Sequence, residues 1–316
     1  MASASSAPVA VIDVGSNSIK VLVARRGDGG GLEHVSAHTL DARIGAGISR
    51  EHPRLSEPGM EAALTAIREL AAESAALGAA SPVIVATSAV RDAANGAEFR
   101  ERVRAATGVT LRILSGDEEA ALIGRGLLCD PGLRELRDFI LCDLGGGSLE
   151  CVAFTGRAIR SKVSLPLGCV RLTERFVPDP AAPVAPAALA AVAAHTRASL
   201  AASGFDFTSA RAGAMVGTGG TISTTRAILA RREGHDFDSS SPVITLARIR
   251  ELMTETAGLP IEGRRALPGL PAARADVFPA ALATVVALLE HAGAGAVRHS
   301  LCNLRHGLAA ETLGLG

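Results

Sequence analysis

The sequence predicts an α/β protein made of two duplicated domains, and two observations lead to that prediction. A short apolar run at 9–12 ends at Asp13, passes a Gly/Ser turn and continues as a second apolar run at 19–25. The same order recurs later, where the runs 139–142 and 151–154 flank Asp143 and a glycine turn. Two copies of strand, acid, turn and strand indicate duplication. A chain of 316 residues is long enough for two hydrophobic cores.

Composition excludes several classes of protein. Apolar residues make up 48% of the sequence, too many for a disordered chain. Basic and acidic residues balance at 32 each, and there is no Trp or Tyr to stack on bases, so we expect no nucleic-acid partner. Five scattered cysteines without a Cys-x-x-Cys pair indicate reduced thiols and a cytoplasmic location rather than a zinc site. The start of the chain does not resemble a signal peptide, and no apolar stretch is long enough to span a bilayer, so we expect no membrane partner.

In the first half, apolar patterns and capping signals predict the order β-β-β-α-β-α-β-α. The strands at 9–12 and 19–25 are followed by a third around 35–43 and by a helix that Ser56 caps and Gly78 closes. The remaining elements are a strand at 83–86, a helix at 97–106, a strand at 109–114 and a helix at 118–128. Residues 129–138 link the halves.

The second half continues with helices and strands around the central glycine turn. A helix follows Arg171, and a strand at 215–216 ends at a Gly-Thr-Gly-Gly-Thr loop with a helix starting near Ile222. Later elements are a helix at 246–256, a helix that Asp276 caps, a strand at 297–301 and a helix beginning near Arg305. We therefore expect domains at 1–125 and 126–302, with the last helix, about 303–316, packing back on the first domain.

The glycine turns carry residue types suited to a metal-bound phosphate. Glycine allows positive φ and lets an anion approach peptide N–H groups without a Cβ in the way. Ser16, Asn17 and Ser18 add donors, and Lys20 adds a positive charge. For the central turn the alternative is an ordinary hairpin. The loop 217–221 combines glycines with a helix N-terminus, which is a third candidate anion site.

Two further residues stand out beside helix and strand ends. Asp117 and Glu118 are explained as caps and dipole partners at a helix N-terminus, but this explanation does not require Glu119. Arg91 follows a strand end, where open α/β sheets place ligands. The alternative for Arg91 is a solvated helix arginine.

Six motifs in this order resemble the exopolyphosphatase/guanosine pentaphosphate phosphohydrolase (Ppx/GppA) family of the actin/hexokinase/Hsp70 superfamily. They lie at 13–18, 87–95, 115–120, 143–150, 217–221 and 274–277. The length matches the short, two-domain form of the family. The resemblance implies two actin-like (ribonuclease H-like) domains with mixed five-stranded sheets flanked by helices, and an active site in the cleft between domains.

The resemblance also implies residue roles. Glu119 matches the base that activates water, with Glu150 as the alternative, and Asp143 and Glu150 match acids near the attacked phosphorus. Asp13 and Asp143 would hold Mg²⁺ or another divalent cation. The matching phosphate-binding positions are Gly15, Ser16, Asn17, Ser18, Lys20, Arg91, Gly145, Gly146, Gly147, Ser148, Gly217, Thr218, Gly219, Gly220 and Thr221.

The expected reaction is release of terminal orthophosphate from inorganic polyphosphate. Hydrolysis of guanosine pentaphosphate would use the same residues and stays open, as do a superfamily kinase and a non-catalytic sensor of polyphosphate or nucleotide. The joint presence of four acids, Asp13, Glu119, Asp143 and Glu150, argues against the sensor. The family pattern Leu-Arg-Glu-Gly is here interrupted by His306, for which a buried or capping role is favoured over a catalytic one. A homodimer is left open.

Overall fold

The computed structural model describes residues 7–79, 81–208 and 214–315, and the chain divides into two units by its internal contacts. The first unit contains the described residues up to Leu133 and those from Cys302 onwards. The second unit is Arg134–Leu301. Each unit contains a mixed sheet flanked by helices, which confirms the predicted fold class.

The first sheet has the order β3-β2-β1-β4-β5. Its strands are β1 Val9–Val14, β2 Ser18–Arg26, β3 Leu32–Asp41, β4 Val83–Ala86 and β5 Arg112–Ile113. β1 pairs antiparallel with β2, where Asp13 lies opposite Lys20, and parallel with β4. β1 is the central strand and is largely buried, as expected for a strand covered on both faces. The turn after β1 therefore begins at the end of a strand that is buried and paired on both sides.

The helices of the first unit include one contributed by the end of the chain. They are Glu57–Ala76, Ser88–Asp92, Gly96–Thr107, Gly116–Leu128 and Leu304–Thr312. The last of these crosses Gly116–Leu128 at a point where two glycines are required. A Cβ on Gly126 would lie 1.9 Å from the carbonyl oxygen of Asn303, and one on Gly307 would lie 1.9 Å from that of Leu122. Glycine at both positions lets the two backbones touch.

The second sheet has the order β10-β11-β9-β6-β7-β8, which is one strand more than the five expected. Its strands are β6 Phe139–Leu144, β7 Leu149–Thr155, β8 Ala158–Leu165, β9 Ala214–Thr218, β10 Val243–Thr245 and β11 Ala296–His299. The five-strand expectation is corrected by β10, an edge strand of 3 residues. Such a strand is too short for a periodic pattern to reveal it.

The sheet register of the second unit brings its acids together. β6 and β7 pair antiparallel with Asp143 opposite Glu150. β9 pairs parallel with β6, so that Thr218 lies beside Asp143. One sheet edge therefore carries both acids and the start of the third glycine motif.

Six helices cover this sheet in the described part of the chain: Cys169–Phe176, Pro186–Ala202, Gly219–Arg232, Leu246–Gly258, Ile261–Arg265 and Phe278–Ala292. Phe278–Ala292 is buried along almost its whole length and packs against Pro186–Ala202 and Leu246–Gly258. The N-cap position of this helix is Val277 rather than the predicted Asp276, and Val277 makes no side-chain cap hydrogen bond. Across 7–79, 81–208 and 214–315, no helix is both long enough and apolar enough to cross a membrane.

Candidate functional site

The segment 42–45 binds the backbone carbonyl groups of the first glycine turn. The N–H of Gly45 donates to the carbonyl of Ser16 (2.8 Å), and the N–H of Arg43 donates to the carbonyl of Asn17 (3.0 Å). In a trans peptide the N–H points opposite the carbonyl. The N–H groups of Asn17 and Ser18 therefore point away from this segment, as adjacent donors suited to an anion.

Close contact between the two segments explains why position 45 is glycine. A Cβ on Gly45 would lie 2.6 Å from the Cβ of Ser16 and 2.9 Å from its carbonyl oxygen. Arg43 adopts a left-handed φ of 44°, which is unusual for a residue with a side chain. Sequence reasoning missed both residues, because a glycine two positions after an arginine is not a distinctive signal.

The central turn is held in the same way, by the start of the helix Cys169–Phe176. Its three glycine carbonyls, at 145–147, accept hydrogen bonds in sequence from Cys169 N–H (3.0 Å), Val170 N–H (2.8 Å) and Arg171 Nε (3.0 Å). By the same peptide geometry, the N–H groups of Gly146, Gly147 and Ser148 point the opposite way. Three successive N–H groups that point the same way are a geometry suited to an anion.

Both turns are closed by a hydrogen bond between equivalent positions. Gly15 N–H donates to the Ser18 carbonyl (3.2 Å), and Gly145 N–H donates to the Ser148 carbonyl (3.0 Å). At the central turn the contact from behind again requires glycine, since a Cβ on Gly168 would lie 2.3 Å from backbone atoms of the turn. Gly168 and Arg171 are supporting residues that the sequence motifs did not identify.

Asp13, at the first turn, has an oxygen that lacks a hydrogen bond. Its Oδ1 is buried and has no partner among the described residues. Burial raises the pKa of Asp13, while Lys20 and Arg305 oppose that rise. A buried carboxylate oxygen of this kind fits a cation. The described residues contain no group of three or more His, Cys, Asp or Glu side chains that could hold a metal, so a cation here would depend on water and substrate oxygens, as Mg²⁺ commonly does.

Within the predicted phosphate motifs, two other buried polar side chains have atoms without a hydrogen-bond partner among the described residues. They are Asn17, at both Oδ1 and Nδ2, and Thr218, at Oγ1. Buried polar atoms are nearly always hydrogen-bonded in folded proteins. Asn17 lies in the first turn and Thr218 at the end of β9, so each unit has a polar side chain suited to a ligand.

Arg91 and Glu119, predicted separately, are brought into contact. Arg91 Nη1 donates to Glu119 Oε2 (2.9 Å) and to the carbonyl of Leu114 (3.0 Å). Glu119 is only 6% exposed. Its neighbour Glu118 forms a capping box with Ser115, and a hydrogen bond from Arg112 is the main cause that lowers the pKa of Glu118 to about 2. The cap thus accounts for Glu118 and leaves Glu119 for another role.

The acids of the second unit are held by neighbouring strands and by the third motif. Ser164 on β8 donates its hydroxyl to Glu150 Oε1 (2.7 Å). A Cβ on Gly219 would lie 2.2 Å from Asp143 Oδ1, and Gly219 has φ of 87°. Position 219 therefore requires glycine, both for its backbone conformation and for the approach of Asp143.

The third motif forms the first turn of a helix rather than a free loop. Gly219, Gly220 and Thr221 open the helix Gly219–Arg232. The guanidinium of Arg274 covers Gly220, where a Cβ would lie 2.3 Å from Nη1, and Arg274 Nη2 donates to Thr221 Oγ1 (3.3 Å). Arg274 had no assigned role in the sequence analysis, and the structure places its charge at this helix N-terminus.

Gly217 differs from the other predicted phosphate-binding glycines. It lies inside β9, where a Cβ would approach Val297 Cγ2 to 2.7 Å and Ile222 Cγ1 to 3.0 Å. Packing against β11 and the following helix is therefore a sufficient reason for glycine at this position.

A model of the Ppx/GppA phosphatase family matches residues 22–315. The chain belongs to this family. The match confirms the resemblance inferred from the six motifs, and it identifies the protein as a hydrolase of the phosphatase class.

Solved structures of Ppx/GppA proteins show the same fold. An exopolyphosphatase from Cytophaga hutchinsonii has a TM-score of 0.86 at 21% identity, covering 97% of this chain and 98% of that chain. A Ppx/GppA family member from Aquifex aeolicus has a TM-score of 0.76 at 26% identity, covering 98% of both chains. An exopolyphosphatase-like protein has a TM-score of 0.86 at 24% identity, covering 97% of both chains.

His306, at the departure from the Ppx/GppA pattern, is a helix cap. Its Nδ1 faces the backbone N–H of Asn303 (3.3 Å) and completes a capping box at the start of Leu304–Thr312. Burial is the main cause that lowers the pKa of His306 to about 4, with Arg305 and His34 adding to the effect. The neutral ring thus accepts the hydrogen bond that a glutamate accepts in a capping box.

Two further features of this Ppx/GppA protein, within its described residues, are the cysteines and an apolar cavity. None of the five cysteines, all of which are described, forms a disulfide, and burial raises the pKa of Cys142 to about 12, which disfavours a reactive thiolate. A cavity of about 640 Å³ in the second unit is lined mainly by apolar residues from Pro186–Ala202, Leu246–Gly258 and Phe278–Ala292. It includes none of the predicted site residues.

Proposed function

We propose that this protein is an exopolyphosphatase that releases terminal orthophosphate from inorganic polyphosphate. The observation that carries the proposal is the hydrogen bonding of the two glycine turns. A neighbouring segment binds the carbonyl groups of each turn, so the adjacent N–H groups point away from that segment. Two such turns suit a substrate with several phosphates in a row better than one with a single phosphate. The similar protein from Cytophaga hutchinsonii is an exopolyphosphatase, which supports this substrate class.

In the proposed reaction, Glu119 accepts a proton from a water molecule that attacks the terminal phosphorus. A bond forms between the water oxygen and phosphorus, the bridging P–O bond breaks, and the shortened chain leaves with the electron pair. Arg91 orients the Glu119 carboxylate through the hydrogen bond to Oε2. The N–H donors of the two turns and Lys20 stabilise negative charge on the phosphate oxygens.

We propose that Asp13 and Asp143 hold Mg²⁺ or another divalent cation, which would neutralise phosphate charge when bound. The unpartnered Oδ1 of Asp13 supports this assignment. In the two turns, Ser16, Asn17, Ser18 and 146–148 are proposed phosphate contacts, while the N–H groups of Gly15 and Gly145 close the turns. The proposal further includes a cytoplasmic location, which cysteines without disulfide bonds favour.

Glu150 is the second candidate for the base. It is 2% exposed and lies opposite Asp143 in the sheet register. The Ser164 hydroxyl donates to Glu150 Oε1 and holds the side chain in one orientation. A side chain fixed in this way suits either a base or a group that orders the cation shell, and substitution of each glutamate separates the two.

Hydrolysis of guanosine pentaphosphate is the second candidate function. It is favoured by the third anion site, where Arg274 covers Gly220 at a helix N-terminus. A guanosine pentaphosphate carries phosphates at two positions of its ribose, so it would use an additional anion site that a short polyphosphate does not need.

One assay tests both candidates. Phosphate release is measured from long-chain polyphosphate, short polyphosphate, guanosine pentaphosphate and ATP, each with and without Mg²⁺. We expect the highest kcat/KM with polyphosphate. A higher kcat/KM with guanosine pentaphosphate would replace the first candidate by the second, and release from none of the four would contradict both.

A further inference from the structure

A chain of hydrogen bonds connects the buried Arg226 to the start of its own helix. Arg226 Nη1 lies 3.3 Å from His299 Nδ1, and His299 Nε2 lies 2.9 Å from Ser223 Oγ. Ser223 Oγ then donates to the carbonyl of Gly219 (2.9 Å). Arg226 is 9% exposed and His299 is 4% exposed, so the chain runs through the interior of the second unit.

The guanidinium group of Arg226 decides which atom donates in each of these hydrogen bonds. A guanidinium group only donates hydrogen bonds, so His299 Nδ1 must accept from Arg226. His299 Nε2 then carries the proton and donates to Ser223 Oγ. Because the Ser223 hydroxyl in turn donates to Gly219, all three bonds run from the cation towards the peptide.

Arg226 is fixed by contacts on its other atoms. Its Nε donates to Ser240 Oγ (3.0 Å), and its Nη2 donates to the carbonyls of Ser240 (2.7 Å) and Phe237 (2.9 Å). The guanidinium carbon also lies 4.5 Å from the centre of the Phe237 ring. These contacts hold the cation in a single orientation towards His299.

The series of hydrogen bonds that starts at Arg226 ends at the third glycine motif. The carbonyl of Gly219 shares a peptide with the N–H of Gly220, which points the opposite way, out of the helix N-terminus. Hydrogen bonds in series polarise one another, so a charge at one end strengthens the donor at the other. Two more groups lie at this helix N-terminus. One is the Arg274 guanidinium. The other is Thr218 Oγ1, which has no partner among the described residues and belongs to a residue that is 1% exposed.

We propose that Arg226, His299 and Ser223 are positioning residues that orient and strengthen the Gly220 N–H as a phosphate donor. The inference rests on the proposed phosphatase function, because it assigns the third motif to phosphate binding. It adds residues that lie outside the six motifs and that touch no substrate themselves. Its consequence is an effect on phosphate affinity rather than on the proton transfer.

The test compares Ser223→Ala with Ser223→Thr, which restores a hydroxyl. KM and kcat for phosphate release from long-chain polyphosphate and from guanosine pentaphosphate, the affinity for orthophosphate by calorimetry and Tm are measured on both variants. The exposed Ser239→Ala is the matched control. We expect Ser223→Ala to raise KM and weaken orthophosphate binding about 3- to 10-fold, the scale of one hydrogen bond. Tm should stay within about 2 °C of the parent, since one hydrogen bond is lost. Ser223→Thr and Ser239→Ala should match the parent protein.

A second pair of variants, His299→Gln and His299→Asn, tests the role of His299 as a donor to Ser223. Glutamine at 299 places an amide nitrogen near the position of Nε2 and retains the donor to Ser223, whereas asparagine is too short to reach it. We expect His299→Gln to bind orthophosphate more tightly than His299→Asn. Equal affinities for the two, or parent affinity in Ser223→Ala, would overturn the proposal, as would a Ser223→Ala loss that threonine does not restore.

The calorimetric measurement separates this inference from the proposed function. Orthophosphate binding needs no turnover, so a parent protein that binds phosphate but hydrolyses none of the four substrates contradicts the function, while the positioning role is still judged by affinity. A parent protein that does not bind orthophosphate overturns the positioning role.

Discussion

Glu118 and Glu119 are adjacent carboxylates with different surroundings. Glu118 is exposed and completes a capping box with Ser115. Glu119 is buried and paired with Arg91, away from the cap. The difference in surroundings is what suggests different roles for two chemically identical side chains.

We expect Glu119→Gln to lower turnover by roughly 10²- to 10⁴-fold, because the amide keeps the shape of the side chain and cannot accept a proton. Phosphate release and Tm are measured on this variant and on Glu118→Ala. The control should lose about 0.5–2 kcal/mol of stability through its cap and keep its turnover. Parent turnover in Glu119→Gln would move the base to Glu150.

The pH dependence of stability tests whether the His306 ring is buried and neutral, as its capping role requires. The pKa of His306 is lowered to about 4 from its ordinary value of 6.5, so between these values the unfolded chain binds a proton that the folded protein does not. This part of the stability is fully present above about pH 6.5 and is lost as pH falls towards 4. Relative to His306→Gln, which does not titrate, the parent should lose about 1–2 kcal/mol between about pH 7.5 and pH 5. Denaturant unfolding at both pH values measures the difference, and parallel curves for the two proteins would contradict the prediction.

At the scale of elements, each glycine turn depends on the segment that supports it from behind. Segment 42–45 supports the first turn, and the start of Cys169–Phe176 supports the central turn. In both cases the supporting segment binds the carbonyls, and the donors are thereby directed outward. The duplication seen in the motifs thus extends to their supports.

Gly45→Ala tests this support. The added Cβ would lie 2.6 Å from Ser16 Cβ, so the first turn must shift. We expect kcat/KM for phosphate release to fall roughly 10- to 100-fold, since displacement of binding groups by about 1 Å has effects of this size. Gly31→Ala is the matched control, because a Cβ there meets nothing within 4 Å. Equal kcat/KM for the two variants would show that the first turn does not bind the substrate.

At the scale of the whole molecule, the proposed cation ligands belong to different units. Asp13 ends β1 of the first unit and Asp143 lies in β6 of the second. The proposed requirement for a cation therefore depends on one residue from each unit.

We expect phosphate release to stop in excess chelator and to return with Mg²⁺. Asp13→Asn and Asp143→Asn should each lower kcat roughly 10²-fold or more and raise the Mg²⁺ concentration needed for half-maximal activity, because each removes a negative ligand. Asp28→Asn, in an exposed loop of the first unit, is the control and should retain parent values. Full activity in excess chelator would remove the cation from the mechanism.

The sequence by itself determined the family, the fold class and the positions of the turns. Asp13, Asp143 and the adjacent glycines lie within a few residues of the turns they flank, and short apolar runs beside them identify the strands. The Ser56 cap was visible for the same reason, since a cap and its helix are neighbours in the chain. The edge strand β10 was missed because its 3 residues carry too little pattern.

Only the tertiary structure decided what supports the turns and what surrounds each acid. Arg171 reaches the turn carbonyl of Gly147, 24 residues away, and Arg274 meets Thr221, 53 residues away. Ser164 was likewise linked to Glu150 only by the pairing of β7 and β8. Periodicity and spacing report which face of an element is apolar, but the partner of a polar side chain depends on how distant segments pack.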